Sequence, residues 1–530
     1  MSESLESSTS RPHKLGFEAE SSLKEEDCWK VINAFFKENG LVSQQINSFN
    51  SFISNTIQEI VEEVGKIVVK PTKQYRPGRF AEYEGKTHEM VFEQLHVYHH
   101  PTFRDQDRHY YNITPSEARI RDLTYESELY MDVRYNNYSY NDECERIVHS
   151  TESVQRIPIG KIPLMVRSKY CVLDTMSKTE RIQSGECEQD QGGYFIIKGG
   201  EKVVVAQEKM ANNFVYVFSN KVNSMYSWEA EIRSYLEKSN RAPSKFSVKL
   251  AKPNVKKGRT INQWDQGGNY QPIRCQVRIV NRLIPIVILF RALGVVSDKE
   301  IFEHICYDLK DSAMMDLLTG SFKEATYCTT VDSAKSFLGA CTLSNKAERI
   351  KFADHILEKE LLPHLGTDES SLPKKALFIG YMVNRMCNSA LGRTGEDDRD
   401  HYGKKRLDMV GSLMGSLFRQ QFFKFTKETK EEFARMIERG ASKITLYSLF
   451  HQDTLTKPMR YALSTGNWGT NALGEVAKHG VAQALNRFTY TSTLSHLRRI
   501  NTPLNKTGKI AKPRQLHNTH WGIILSLIHI

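Results

Sequence analysis

Between residues 66 and 140 apolar and polar positions alternate, with Tyr and His frequent among them. That two-residue period predicts strands of a mixed α/β domain. The short apolar runs Tyr194–Ile197 and Lys202–Val205, joined by Gly199-Gly200, predict a hairpin of two buried strands. Lys202 beside glycines invites a phosphate-loop reading, but the spacing is wrong and no Ser or Thr follows it. Strands are expected again at Phe214–Phe218, Ala230–Ser234 and Ser247–Leu250, followed by a basic loop, KPNVKKGR. The pattern then turns helical over Lys299–Leu309 and over Ala347–Leu362, where Phe352, Ala353, Ile356, Leu357 and Leu361 share a face. The apolar run Leu283–Val296 contains Pro285 and Arg291 and is too short for a membrane span; it predicts a buried strand and turn. Leu407, Val410, Met414 and Leu417 predict a helix by their spacing, and another is expected from an N-cap at Asp27, carrying Trp29, Ile32 and Phe36. Residues 1–24 are rich in Ser, Glu and Lys, lack an apolar face and are expected to be disordered; their acids do not fit a signal or transit peptide. The whole predicts an α+β mixed, multidomain chain.

Charge changes the picture in one place. The chain of 530 residues carries a net charge of +11, a weak pointer to nucleic acid or another acidic partner. Val476–Gly522, however, holds Lys478, Arg487, Arg498, Arg499, Lys506, Lys509, Lys512 and Arg514 and no Asp or Glu. Such a stretch is either a solvated basic loop or a surface facing a polyanion. Phe488, Tyr490, His496, His517 and Trp521 interleave with the cations and favour the second reading, since cations neutralise phosphates while rings stack on bases. Val481–Leu497 has helical spacing at Leu485, Phe488 and Leu497; Thr502-Pro503, Asn505 and Gly508 mark a turn presenting Lys506 and Lys509.

Other candidate chemistry is thinner. Glu396, Asp397, Asp398 and Asp400 with His401 form a dense carboxylate cluster that could hold Mg²⁺. Nearby Lys404, Lys405 and Arg406 favour ion pairs at the start of the following helix instead. His96, His99, His100 and His109 have neither helical placement nor a zinc-ligand pattern, and His517 with His520 has no partner ligand near it in sequence. Nine cysteines without a CxxC fit reduced thiols in a reducing compartment. No run approaches a membrane span, so no membrane partner is expected.

RFTYTSTLSHLRR, followed by NTP and KPRQLHNTHWG, is similar to the fork region of the second-largest, beta-type subunit of multisubunit DNA-dependent RNA polymerases. GGYFIIKGGEKVVVAQEKM, ITPSEARIRDLTYESELYMDV and EDDRDHYGKKRLD resemble the same family, and DCWKVINAFFKENGLVSQQ and EIFEHICYDLKD resemble its polymerase II branch. The resemblance implies the N-terminal half of such a subunit, with a lobe inserted in a discontinuous protrusion domain. The expected parts are a disordered tail (1–24), protrusion (25–213), lobe (214–394), protrusion resumed (395–460), and an incomplete fork (461–522). It implies that Lys506, Lys509 and Arg514 belong to the second fork loop and its base, and Lys478 to the first. Arg487, Arg498 and Arg499 are further candidates, the last two either touching nucleic acid or pairing within the protein. Implied partners are the largest and other polymerase subunits, template DNA and the RNA–DNA hybrid, in the nucleus. Catalytic Mg²⁺ is implied for the whole enzyme, held mainly by the largest subunit, and zinc for the family's C-terminal part. The fragment alone is expected to be inactive, and a stand-alone nucleic-acid-binding or scaffold protein remains the alternative. After Gly522 the text departs from the family. Residues 523–530 are expected to be a non-native tail, because LSLIHI can be encoded by a transposase sequencing adapter; a short isoform or intron read-through is the alternative.

Overall fold

The computed structural model describes residues 25–69, 86–98, 100–104, 110–140, 146–220, 223–236, 243–252, 271–280, 282–308, 310–342, 348–438, 446–470, 476–503 and 517–520. The expectations for residues 1–24 and 523–530, for most of the KPNVKKGR loop, and for His99 and His109 fall outside them. The chain divides into two compact units. The first is Met1–Gln207 with Asp408–Asn501 and Gly522–Ile530; the second is Glu208–Leu407 with Thr502–Trp521.

In the first unit, Lys66–Val69, Lys86–Val97, Glu126–Tyr140 and Arg146–Pro163 form a four-stranded antiparallel sheet in that order. His96 lies on its second strand and bonds Asp132 at 2.9 Å, a cross-strand pair rather than a metal ligand set. The long helix Val410–Glu438 belongs to the same core. Its Phe418, Phe422, Phe425 and Phe433 recur every three, four or eight residues and are almost fully buried, giving one apolar stripe. Phe422 reaches Phe92 of the sheet with centroids 6.0 Å apart, and Phe418 reaches Phe52 at 6.4 Å. Near its start a Cβ on Gly411 would stand 2.2 Å from the Ser48 carbonyl oxygen, so only glycine permits this approach. The helix begins at Val410, not at Leu407, which ends a short strand, Lys405–Asp408.

The expected hairpin is present as Phe195–Ile197 and Gly200–Val204, with Lys198 and Gly199 as its two-residue turn. Both turn residues have positive φ, +49° and +72°, the geometry of a tight hairpin turn. The helix expected from Asp27 runs over Glu25–Asn39 and has no buried residue.

The second unit opens with a five-stranded antiparallel meander: Tyr216–Ser219, Tyr226–Ser234, Ser244–Ala251, Ile273–Val277 and Ile284–Pro285. Helices follow and pack in one core with it. Leu283–Val296 is corrected here: after two strand residues it becomes the helix Ile286–Ala292, buried at all seven positions. An apolar run buried on every side has no period to separate helix from strand. Arg291 is tolerated inside because its guanidinium donates to Ala325 O at 2.8 Å, to Cys328 O, and to Asp298 at 2.8 Å. The Lys299–Leu309 helix is observed as Asp298–Ile305, and Ala347–Leu362 as the α-helix Arg349–His355 continued by a π-turn, Ile356–Glu360.

Lys375, on the helix Leu372–Ala390, is fully buried and donates to Leu357 O at 2.9 Å and Glu358 O at 2.6 Å, carbonyls freed by that π-turn. Burial lowers its pKa from 10.5 to about 8. Folding therefore releases a proton from Lys375 between those two values, and its contribution to stability rises with pH there. Relative to Lys375→Met, the chain should gain at most about 3 kcal/mol between pH 8 and pH 10.5, read by urea unfolding at each pH. A gap that does not change with pH would refute the lowered pKa.

Candidate nucleic-acid interface

The single helix expected over Val481–Leu497 is two elements. Ala482–Ala484 is a third strand on the hairpin, paired antiparallel with Gly200–Val204. Val205 N–H donates to Val481 O and Leu485 N–H to Glu201 O, each at 3.0 Å, fixing both ends of the pairing. The helix proper is Tyr490–Leu497, capped by Thr489, whose hydroxyl accepts the Ser492 N–H at 3.1 Å in a capping box. Apolar spacing misled because Leu485 is buried by the sheet, Leu497 by the helix, and Phe488, between them, is 91% exposed.

His496, expected among the stacking rings, is buried. Its Nδ1 accepts the Asn486 N–H at 3.2 Å and its Nε2 donates to Gln483 at 3.0 Å, a neutral tautomer. Burial first, then the charge of Arg499, lowers its pKa. Gln45 ties the segment down from far upstream: its amide donates to Val204 O and Leu497 O, both at 3.1 Å. Beyond the helix, Ile500 and Asn501 run parallel to Ala206 and Gln207.

The basic candidates divide. Arg487 binds Glu201 through Nε at 2.6 Å and Nη2 at 2.9 Å, and lies 3.5 Å from Asp190. Arg119 joins the same network, donating to Glu201 at 2.8 Å, to Glu186 at 3.0 Å and 3.1 Å, and to the Tyr194 hydroxyl at 2.7 Å. Both guanidinium groups lie over the Tyr194 ring, at 4.8 Å and 5.9 Å. Arg119, Glu186, Asp190 and Glu201 were not singled out from sequence; nothing in a linear spacing of this length could have joined them. Arg498 donates to Leu41 O at 3.1 Å. Lys478, in the strand Val476–Lys478, is exposed, with Asp408 at 3.9 Å. Arg499 is exposed, as are Phe488 and Tyr490. Lys506, Lys509 and Arg514 lie outside the described residues, together with Lys512 and Trp521.

In the second unit the carboxylate cluster is built into protein. Asp397 accepts Lys404 Nζ at 2.6 Å, Arg385 Nη2 at 3.0 Å and Val217 N–H at 2.9 Å; Glu396 accepts the Ser219 hydroxyl at 2.7 Å. Asp398 accepts the Asp400 N–H at 2.9 Å and pairs with His517 at 2.7 Å; the first, then the second, lowers its pKa. Two cations on one carboxylate do not fit a divalent ion. No helix follows directly, and of the expected cationic partners only Lys404 takes that part: Lys405 pairs with Glu208 at 3.5 Å, and Arg406 donates to carbonyls. His520 packs on Tyr402 with centroids 4.3 Å apart, so the histidine pair of this segment is structural.

The family model described as "RNA polymerase beta subunit" matches residues 40–457, and that of "RNA polymerase Rpb2, domain 3" matches 483–528. The chain is 43% identical over 517 residues to DNA-directed RNA polymerase II subunit 2 of Arabidopsis thaliana, covering 97% of this chain and 42% of that protein. With DNA-directed RNA polymerase II subunit RPB2 of Schizosaccharomyces pombe it shares 41% identity, over 95% of this chain and 41% of the relative. With subunit Rpo2 of Saccharolobus shibatae it shares 33%, over 95% and 40%. The chain thus spans about two fifths of the length of the curated relatives it matches. With a match extending over most of its length, the chain belongs to the RNA polymerase beta subunit family.

Proposed function

We propose that this chain is part of the second-largest subunit of a nuclear DNA-directed RNA polymerase of the polymerase II type. The observation that carries this reading is the 41–43% identity to polymerase II subunit 2 proteins across nearly the whole chain. Within the enzyme the chain lines one side of the nucleic-acid cleft and contacts nucleic acid at the fork. Its share of nucleotidyl transfer is electrostatic: template-directed synthesis must accept every sequence, so its contacts go to phosphates and base faces. Lys506, Lys509 and Arg514, with Lys478 and Arg499, are assigned to phosphate contact, and exposed Phe488 and Tyr490 to stacking. Arg487 and Arg498 hold the fork's shape through their bonds to Glu201 and Leu41. The protrusion–lobe–protrusion order is supported by the return of the chain to its first unit at Asp408. Partners are the largest and other polymerase subunits, DNA and the RNA–DNA hybrid. Mg²⁺ is assigned to the largest subunit, because the acids of 396–400 are occupied by protein groups, and zinc to the family's C-terminal region.

Affinity purification of the tagged chain from nuclear extract should recover a largest polymerase subunit and template-dependent RNA synthesis, while the isolated chain makes no RNA. Recovery of the chain on nucleic acid without any polymerase subunit would refute this reading.

A further inference from the structure

A groove in the first unit plays no part in the fork. Lys66–Val69 is the outer strand of the four-stranded sheet, and Lys86–Val97 is its strand neighbour among the described residues. Phe92 N–H donates to Gly65 O at 3.0 Å, and Ile67 and Val69 stand opposite Met90 and His88. In an antiparallel pair the ladder bonds fall on alternate residues, so the peptide groups of Lys66 and Val68 point away from the sheet. Beside this edge runs a groove of about 640 Å³, lined by Ile67, Val68 and Phe423 and by Lys66, Lys424, Lys427 and Lys430.

Phe423, Lys427 and Lys430 follow one another at four- and three-residue intervals on the helix Val410–Glu438, which puts them on one stripe. All four lysines are exposed. Lys66 meets Glu89 at 3.1 Å and Lys424 meets Glu428 at 3.8 Å, whereas Lys427 and Lys430 have no carboxylate partner among the described residues. Glu63, the acid that also lines the groove, is held by Arg419 at 3.1 Å.

We propose that this groove docks an extended acidic segment of a partner protein by strand addition. The segment would pair its backbone with the outward N–H and C=O of Lys66 and Val68 and set apolar side chains against Phe423 and Val68. Its carboxylates would meet Lys424, Lys427 and Lys430. Alternate side chains of an extended peptide recur every ~6.7 Å. Lys424 to Lys430 spans ~9 Å of helix axis, so two alternate acids match the lysine row. Nucleic acid fits less well. Phosphates would use the lysines but not the edge, whose outward carbonyls repel anions and accept only donors.

The test measures anisotropy of a fluorescein-labelled nonapeptide of alternating Glu and Val on the whole chain. Lys427→Glu with Lys430→Glu should weaken binding by at least about tenfold. N-methylation of alternate peptide amides, which leaves the protein untouched, should do the same, and bound peptide should slow hydrogen exchange at Lys66 and Val68. Undiminished binding of the N-methylated peptide would overturn strand addition. Tighter binding of a nine-residue oligothymidine that depends on the same lysines would assign the groove to nucleic acid and overturn the proposal, as would no peptide binding at millimolar concentration.

Discussion

Arg119→Met is expected to destabilise the first unit by about 3–5 kcal/mol, the cost of breaking a buried ion pair from one side. The magnitude follows from what the substitution leaves behind. Glu186 has a side chain only 5% exposed, and both its oxygens face Arg119 Nη1. Without the guanidinium a carboxylate stays buried with no cation, and the Tyr194 hydroxyl loses a donor. Arg487→Met is the internal comparison. It removes an equally charged group from the same network, but Glu201 keeps Arg119 and Arg487 is itself 38% exposed. Its cost should be nearer 1 kcal/mol. Urea unfolding of the whole chain, followed by the first transition to respond, checks both. Equal costs for the two arginines would show that Glu186 finds another partner.

Replacing Lys506, Lys509 and Arg514 together by alanine should weaken nucleic-acid binding by the assembled polymerase and flatten its salt dependence. Each phosphate contact releases about one counterion, so loss of three should reduce the slope of log K against log salt by about two to three units. The reason for choosing these three is the surrounding sequence: no acid occurs between Val476 and Gly522 to neutralise them. Arg498→Ala makes the control, because that guanidinium is engaged with Leu41 O and its loss should move stability more than the slope. An unchanged slope in the triple variant would place those cations against protein.

How much was legible in the sequence depended on how far apart the partners lie. The hairpin at 195–204 was readable because its two runs and its glycine turn are contiguous; only the turn shifted by one residue, to Lys198-Gly199. Ala482–Ala484 was not readable as a strand, because the strand that makes it one lies at 200–204. Phe488 fits a helical apolar period yet stands in solvent, since the helix begins only after the Thr489 cap. Excess positive charge in the fork segment was plain from composition. That Arg487 spends its charge on Glu201 and Asp190 was not, because both acids lie far upstream. Likewise the acids at 396–400 were legible as a cluster, while the cation Arg385, the amide of Val217 and the imidazole of His517 that occupy them come from three other places in the chain.

The bond from Gln45 to Leu497 O has a bearing on how the protein is made. The first unit is interrupted by Glu208–Leu407, so its opening sheet and hairpin leave the ribosome well before the helix and strands that complete their core. At typical synthesis rates the interruption lasts roughly 10–40 s. For that interval Phe52, Phe92 and Phe195 lack the aromatic stripe of Val410–Glu438, and the hairpin lacks Ala482–Ala484. The second unit, whose sheet and helices are nearly contiguous, can close while the first waits. A nascent chain of this design therefore passes through a stage with one finished domain and one open apolar surface, the period in which a chaperone has most to hold.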